Sequence, residues 1–251
     1  YPDDDGNWRT WLIRAGRGYG KTRAGAEWVS SIARRNRHAR IALVGAILED
    51  VRRVMVEGES GLLAVARAGE NPRWCADQGE LHFDSGAIAY AYSAATHEKL
   101  RGPQHHFAWC DEIGKWRDGE ACWSNMMLGM RLGDAPRVLA TTTPRPTPLL
   151  HMLAKRDDVV TCTGATWANR NLSRAYVDAV RALYDNTRIG RQELEGELLS
   201  EAEGALWSRD LLERQRAGKL PEMRRIVVAV DPPASAGGTC GIVAAGQGAD
   251  G

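Results

Sequence analysis

The sequence lacks the features that mark several common classes of protein. None of its five cysteines forms a C-x-x-C pair and no histidine has further ligands at zinc spacing, so we expect reduced thiols and no zinc site. The 33 basic and 32 acidic residues nearly balance, so any contact with nucleic acid must be local. No apolar run reaches the length of a membrane span, and we expect no signal peptide.

What is present indicates a soluble globular protein with a sizeable core and no association with a membrane. The chain has 251 residues, of which 43% are hydrophobic and 26% charged. It begins Tyr1-Pro2 without an initiator Met, from which we expect it to be part of a longer protein.

Residues 14–22, RAGRGYGKT, form the segment around which the other motifs are arranged. An apolar run precedes it and a helix-like pattern over 23–37 follows, which is the strand, turn and helix order of a phosphate-binding loop. The usual pattern is G-x-x-x-x-G-K-[ST]; here Ala15 replaces the first glycine, which requires a negative φ. Lys21 would reach the β- and γ-phosphates, and the Thr22 hydroxyl would ligate Mg²⁺. The predicted ATP-binding residues are Gly16, Arg17, Gly18, Tyr19, Gly20, Lys21 and Thr22.

Two acids end an apolar strand predicted over 107–110. In phosphate-loop ATPases an Asp at the end of a strand holds Mg²⁺, and a following Glu can polarise the attacking water. We therefore predict that Asp111 supports the metal and that Glu112 is the catalytic carboxylate. An Asp-Glu pair also serves as a helix cap, but a phosphate loop roughly 90 residues upstream favours the catalytic role.

Three consecutive threonines, Thr141, Thr142 and Thr143, follow an apolar strand predicted over 136–140. The carboxyl ends of neighbouring parallel strands lie at one edge of a sheet, where a nucleotide binds. Hydroxyls at that edge would sense the γ-phosphate and report its loss. The alternative is a rigid turn within the proline-containing loop 141–146.

Arginine is the residue that stabilises the charge building on a γ-phosphate during hydrolysis. Arg17 lies inside the loop and is the candidate for this catalytic role. Arg101 and Arg145 are weaker candidates, either acting on a neighbouring subunit or contacting DNA, and a surface position is the simpler explanation for each.

The order of the predicted elements favours an α/β fold with a mainly parallel central sheet. Short strands over 73–75, 80–83 and 87–92 predict an antiparallel insertion at its edge. Helices are predicted over 49–68, with a break near Gly58 and Gly61, and over 173–184 and 188–200. We divide the chain into an ATPase core (1–165), a helical lid or linker region (166–221) and a hairpin (222–251) with strands over 225–231 and 241–245.

Asp231 ends the first strand of that hairpin, the position of the first metal-binding acid in a ribonuclease-H-like nuclease. Such a site holds two metal ions and needs several carboxylates, which would lie beyond Gly251. We therefore predict an incomplete nuclease domain without activity in these residues.

Together these segments resemble the large terminase subunit of tailed bacteriophages, of the type shared by HK97-like phages and gene transfer agents. The resemblance covers nearly the whole chain. The segments that carry it are WRTW (8–11), GRGYGKTRAGAEWV (16–29), LRGPQ (100–104), WCDE (109–112), TTTPRP (141–146), QELEGE (192–197), GALW (204–207) and VAVDP (228–232).

The resemblance implies a phosphate-loop ATPase of the ASCE type that uses ATP and Mg²⁺ to move double-stranded DNA into a procapsid. It also implies an attached endonuclease that uses Mg²⁺ or Mn²⁺. Arg17 matches the arginine that terminases carry in this loop, and residues 141–143 match the coupling motif. The implied partners are DNA, the portal protein and the small terminase subunit. The family works as a homo-oligomeric ring on the capsid in the cytoplasm of the bacterial host, and we expect a monomer in isolation.

Two other functions stay open at this point. A phosphate-loop kinase or nucleotidase acting on a small molecule would contain the same loop, although an acid pair that activates water is unfavourable in a kinase. A scaffold with an ATPase fold would bind nucleotide without turnover.

Overall fold

The computed structural model describes residues 2, 6–184, 187, 190–198, 215, 222–232 and 240–248. The chain divides into two units, 1–200 and 201–251, and each is described by itself. The GALW segment at 204–207 lies outside the described residues, and the domain boundaries at 165 and 221 stay predictions.

Eight strands form one sheet in the first unit. They are β1 (Thr10–Ala15), β2 (Arg40–Gly45), β3 (Arg73–Cys75), β4 (Glu80–His82), β5 (Ile88–Ser93), β6 (Phe107–Cys110), β7 (Arg137–Thr142) and β8 (Val159–Gly164). Their order in the sheet is β3-β4-β5-β2-β6-β7-β1-β8. Neighbours from β5 to β8 in this order pair in parallel, whereas β3, β4 and β5 pair antiparallel. The predicted mainly parallel α/β fold with an antiparallel edge insertion is confirmed.

Helices occupy most of the connections between these strands, and further helices follow β8. They are α1 (Lys21–Arg35), α2 (Leu48–Asp50) continued by a π-helix (Val51–Val56), α3 (Gly119–Gly129), α4 (Pro148–Ala154), α5 (Arg174–Tyr184) and a second π-helix (Arg191–Glu195). Short 3₁₀ helices span Ala94–Leu100, Ile113–Lys115 and Thr166–Ala168. No helix in the described part of the chain combines the length and apolar character needed to span a bilayer.

Buried residues cover both faces of the sheet. In β2, Ile41 and Leu43 belong to a cluster that includes residues of α1, whereas Ala42 and Val44 belong to one that includes residues of α3 and α4. Because successive residues of a strand point to opposite faces, a strand covered on both sides needs apolar residues throughout. This explains the continuous apolar runs in the sequence.

The helix predicted over 49–68 ends at Val56; the break predicted near Gly58 and Gly61 is confirmed, but no helix resumes after it in the described residues 62–68. Gly58 and Gly61 follow in tight turns, where an added Cβ would lie 2.7 Å from the carbonyl oxygens of Val54 and Val56 respectively. These close backbone approaches redirect the chain, so the apolar residues downstream pack from a turn instead of a helix.

Two further predictions differ from the structure at their ends. In the described part of the helix predicted over 188–200, the last helical residue is Glu195, because Gly196 has a φ of 76° and forms a left-handed cap. Strand β7 extends to Thr142, so the first two threonines belong to the strand and not to the loop predicted over 141–146.

The second unit contains a two-stranded antiparallel hairpin, β9 (Met223–Asp231) and β10 (Gly241–Gly248), with Asp231 opposite Gly241. The predicted hairpin is confirmed. Its assignment to a nuclease domain stays a prediction.

Helix α1 packs against β6 through a contact that requires a glycine. An added Cβ on Gly25 would lie 2.2 Å from the indole Cε2 of Trp109, and Trp109 is fully buried. Helix α1 follows the phosphate-binding loop and β6 precedes the two acids, so this contact sets the spacing between the two parts of the predicted site.

We expect Gly25→Ala to lower the free energy of unfolding by about 1–3 kcal/mol, because overpacking against the indole outweighs the better helix propensity of alanine. Denaturant titration measures the change. Ser31→Ala, at a partly exposed position of the same helix, is the control and should stay within about 0.5 kcal/mol of wild type. Equal stability of Gly25→Ala and wild type would show that the contact is not tight.

Candidate functional site

Two of the three glycines in the loop between β1 and α1 have a positive φ. Gly18 and Gly20 have φ values of 72° and 106°, and Gly20 immediately precedes α1. Among the described residues other than glycine, Glu112 alone has a positive φ, so Ala15 meets the condition set for replacing the first glycine.

Lys21 is buried at the start of α1, and its ammonium has three acceptors. Nζ donates to the carbonyl oxygens of Ala15 (2.9 Å) and Gly16 (3.0 Å) and to Oγ1 of Thr143 (3.1 Å). It also lies 3.8 Å from Oε1 of Glu112. Burial lowers the pKa of Lys21, and the charges of Glu112 and Asp111 oppose that change. The ammonium therefore links the loop to the ends of two other strands.

Glu112 is held by Thr143 in an uncommon backbone conformation. Its φ of 48° lies in the left-handed region, which few residues other than glycine adopt. The backbone N–H of Thr143 donates to Oε2 of Glu112, and the Thr143 hydroxyl donates to Oε1, each at 3.2 Å. A single hydroxyl thus accepts from Lys21 and donates to Glu112, which makes Thr143 the link between the predicted phosphate-binding lysine and the predicted catalytic carboxylate.

Asp111 is nearly buried and accepts a hydrogen bond of 2.6 Å from the hydroxyl of Thr141. Burial raises the pKa of Asp111 to about 6, although the Thr141 hydroxyl and the charge of Lys21 favour the ionised form. A carboxylate that is costly to keep charged in this environment is a suitable partner for a cation.

Thr142 differs from its two neighbours. Its hydroxyl accepts from the backbone N–H of Gly114 at 3.1 Å and donates to the carbonyl oxygen of Thr143 at 2.7 Å. Both of these partners are main-chain groups. Of the three predicted coupling residues, Thr141 and Thr143 contact the acidic pair through their hydroxyls.

Three further side chains, from the segments that follow β8, form hydrogen bonds with the loop. The sequence motifs do not assign these side chains to the site. Thr166 Oγ1 donates to the carbonyl oxygen of Arg17 at 2.7 Å, and Asn169 Nδ2 donates to that of Gly18 at 2.6 Å. Glu193 accepts from Arg17 Nε at 2.6 Å. Glu193 lies in the QELEGE segment that contributed to the resemblance, whereas Thr166 and Asn169 belong to no motif.

The three candidate arginines differ in their position relative to the loop. The Arg17 side chain is 62% exposed and its ion pair with Glu193 raises its pKa. Arg101 pairs with Glu98 and donates to Asn125, away from the loop. Arg145 borders the same cavity as Arg17.

A cavity of about 660 Å³ opens over the loop. Its walls come from the loop and α1, the residues after α2, Glu112 of the acidic pair, the end of β7 and the segments around α5. The lining residues are Arg17, Gly18, Gly20, Lys21, Thr22, Arg23, Arg53, Val54, Gly58, Glu59, Ser60, Glu112, Lys115, Thr143, Arg145, Asn169, Leu172, Tyr176 and Glu193.

Two of the predicted ATP-binding residues, Gly16 and Tyr19, do not line the cavity, and Tyr19 packs under the loop. Its ring lies so close to the backbone of β8 that an added Cβ on Gly164 would be 2.1 Å from the ring carbon Cε2. Tyr19 therefore supports the loop and does not line the described cavity.

Metal ligands are sparse in the described residues, where no group of three or more His, Cys, Asp or Glu side chains has the arrangement of a metal site. Mg²⁺ at a phosphate loop needs few protein oxygens, because water and phosphate supply the others. Thr22 and Asp111 have the oxygen donors that Mg²⁺ prefers. Asp231 lies at the end of β9 in the second unit, with no group of acids around it in the described residues.

In metal-free buffer, we expect the free energy of unfolding of wild type relative to Asp111→Asn to fall as pH rises from about 4 to 7. The folded pKa of about 6 exceeds the ordinary value of 3.8, so the stabilising protonated form is present at low pH and is lost as pH rises through 6. The relative change should be on the order of 2–3 kcal/mol. Denaturant titrations at several pH values in chelator measure it. A difference independent of pH would contradict the raised pKa.

Several solved structures resemble this chain. Large terminase from a thermophilic bacteriophage is 13% identical with a TM-score of 0.66, and the match covers 79% of this chain and 50% of that one. The ATPase domain of Thermus phage P74-26 large terminase is 15% identical with a TM-score of 0.60, covering 78% and 90%. The HK97 bacteriophage large terminase is 12% identical with a TM-score of 0.56, covering 94% and 59%.

These likenesses show a shared fold, and the chain spans about half the length of the first of these proteins. Structures of that large terminase from the thermophilic bacteriophage include complexes with ADP and with ATP-gamma-S. A search of curated protein sequences finds no match. The model of the T4likevirus-type terminase large subunit, N-terminal, matches residues 12–214. The resemblance drawn from the motifs is therefore confirmed, and the chain belongs to the terminase large subunit family.

Proposed function

We propose that this chain binds ATP with Mg²⁺, hydrolyses it, and uses the energy to move double-stranded DNA into a viral procapsid. The observation that supports this most directly is the continuous link from Lys21 through the Thr143 hydroxyl to the Glu112 carboxylate, at 3.1 and 3.2 Å. That link joins a phosphate-binding group to a water-activating group beside the loop.

Nucleotide binding would use the backbone N–H groups of the loop and the N-terminus of α1 for the phosphates. The Lys21 ammonium would exchange its hydrogen bonds to the loop carbonyl oxygens for hydrogen bonds to the β- and γ-phosphates, because phosphate oxygens are stronger acceptors. Thr22 lines the cavity next to Lys21 and would hold Mg²⁺ together with Asp111. Bound Mg²⁺ neutralises phosphate charge during the transfer.

Hydrolysis would depend on Glu112 as the group that orients and polarises the attacking water. Arg17, at the edge of the cavity, would stabilise the charge that builds on the γ-phosphate. The left-handed backbone of Glu112 and its two bonds to Thr143 hold the carboxylate in one orientation. Such preorganisation is a common source of rate acceleration.

Coupling to movement would start at Thr143. When Lys21 engages phosphate, the Thr143 hydroxyl loses the hydrogen bond from Nζ, while the two bonds from Thr143 keep the Glu112 carboxylate in place. Because Thr143 follows β7 directly, the change is transmitted to the loop beyond that strand. Thr141 would report in the same way on Asp111 and its metal.

The whole protein would act with partners that the family implies. We propose a homo-oligomeric ring with the portal protein and the small terminase subunit in the cytoplasm of the bacterial host, and a slow, monomeric ATPase in isolation. Asp231 would be the first metal-binding acid, for Mg²⁺ or Mn²⁺, of a nuclease domain that is incomplete here.

Glu112→Gln should reduce ATP hydrolysis by about 10²–10⁴-fold, because the amide keeps the shape of the side chain and loses its basicity. Phosphate release under single-turnover conditions measures the rate, and a fluorescent nucleotide measures binding, which should persist. Glu120→Gln, at an exposed position of α3, is the matched control and should leave both unchanged. Normal hydrolysis in Glu112→Gln would exclude this residue as the catalytic carboxylate.

Lys21→Ala should abolish ATP hydrolysis while thermal unfolding still shows one folded protein. Lys155→Ala, an exposed lysine, controls for the loss of charge. Full activity in Lys21→Ala would overturn the proposed function. Transfer of labelled γ-phosphate to a small acceptor by wild type, instead of release of free phosphate, would favour the kinase alternative.

A further inference from the structure

The segment Arg191–Glu195 and its cap at Gly196 lie directly against the phosphate-binding loop. The backbone N–H of Arg17 donates to the carbonyl oxygen of Glu193 at 2.7 Å. An added Cβ on Gly16 would lie 2.3 Å from the carbonyl oxygen of Leu194, and one on Gly196 would lie 3.1 Å from Cα of Ala15. The backbone of this segment is in direct contact with the backbone of the loop, so the Cα of Glu193 has a defined position relative to the loop.

The Glu193 side chain engages one particular edge of the Arg17 guanidinium. Its Oε2 accepts from Nε at 2.6 Å, and the Glu193 side chain is only 19% exposed. Within the described residues, no hydrogen bond is formed by Nη1 or Nη2 of Arg17. The two terminal nitrogens form the fork that binds phosphate oxygens in pairs, and Arg17 borders the cavity over the loop.

We infer that Glu193 is a positioning residue for ATP hydrolysis: it holds Arg17 by Nε so that the terminal fork of the guanidinium is presented to the γ-phosphate. The inference rests on the proposed function and deepens it. An exposed arginine side chain samples many rotamers, and an ionised partner on Nε removes much of that freedom before the nucleotide arrives. Glu193 does not contact phosphate in this arrangement and acts through Arg17.

The position of Glu193 also predicts how its removal affects ATP affinity and kcat. Its negative charge lies close to where phosphate would bind, so its removal does not weaken attraction of the nucleotide. The benefit of an oriented Arg17 is largest when charge builds on the γ-phosphate in the transition state. Loss of Glu193 should therefore lower kcat and leave ATP affinity unchanged or tighter.

The experiment measures kcat for phosphate release and the Kd of a fluorescent ATP analogue for wild type, Glu193→Ala, Glu193→Gln, Arg17→Ala and the double variant Arg17→Ala/Glu193→Ala. We expect Glu193→Ala to reduce kcat about tenfold, as for coupled contacting residues, with Kd no weaker than wild type. In the Arg17→Ala background, removal of Glu193 should have no further effect on kcat. A general loss of structure would instead lower kcat in both backgrounds and weaken binding.

Glu193→Gln removes the negative charge and keeps the shape of the side chain. It therefore tests the inference even if Glu193→Ala folds poorly. A neutral acceptor on Nε orients Arg17 less firmly, so kcat should lie between those of wild type and Glu193→Ala. Glu197→Ala, at an exposed position of the same segment, is the matched control and should behave as wild type. The main-chain bond between residues 17 and 193 is available to all these variants.

Three results would overturn the inference, and they are distinguishable from one another. If wild type releases phosphate and the Glu193 variants have an unchanged or raised kcat, the positioning role is wrong and the proposed function stands. If the loss persists at full size in the Arg17→Ala background, Glu193 does not act through Arg17. If wild type releases no phosphate, the proposed function and this inference both fail.

Discussion

The candidate site is built around the buried ammonium of Lys21. A buried charge is costly unless hydrogen-bonding partners replace water, and here they are two carbonyl oxygens of the loop and the hydroxyl of Thr143. These partners lie on two separate parts of the chain. The loop and the end of β7 must therefore lie in register before Lys21 is satisfied, and the Glu112 carboxylate joins them at 3.8 Å.

The sheet makes this register possible. Strand β7 lies between β1 and β6 and pairs in parallel with both, so the loop, the acidic pair and the threonines all emerge at one edge. Both faces of these strands are buried, which holds their ends in place. The close approach of Gly25 to the indole of Trp109 adds a direct contact between α1 and the strand that leads to the acids. The polar site is thus positioned by apolar packing beneath it.

Much of the fold and of the local chemistry could be predicted, because the motifs are contiguous and each follows an apolar run. The distinction among the threonines could not, since it depends on where β7 ends. With the strand extending to Thr142, the side chains of Thr141 and Thr143 share a side, and Thr142 points to the other. The strand predicted from the sequence ends at residue 140, so it gives no alternation of side chains for residues 141–143. No pattern in the sequence around Glu112 predicts its left-handed backbone conformation either.

The identity and order of the chemical groups follow from the amino-acid sequence alone: a glycine-rich loop with Lys21 and Thr22, a strand ending in two acids, and a strand ending in hydroxyls. Those patterns are local and reflect backbone propensity and periodicity. Which of these groups meet is a matter of tertiary packing. Arg17 finds its partner Glu193 at a separation of 176 residues, and that contact requires the backbone of the later segment to pass directly over Gly16. Such a pairing depends on how distant segments pack, and neither segment alone contains that information.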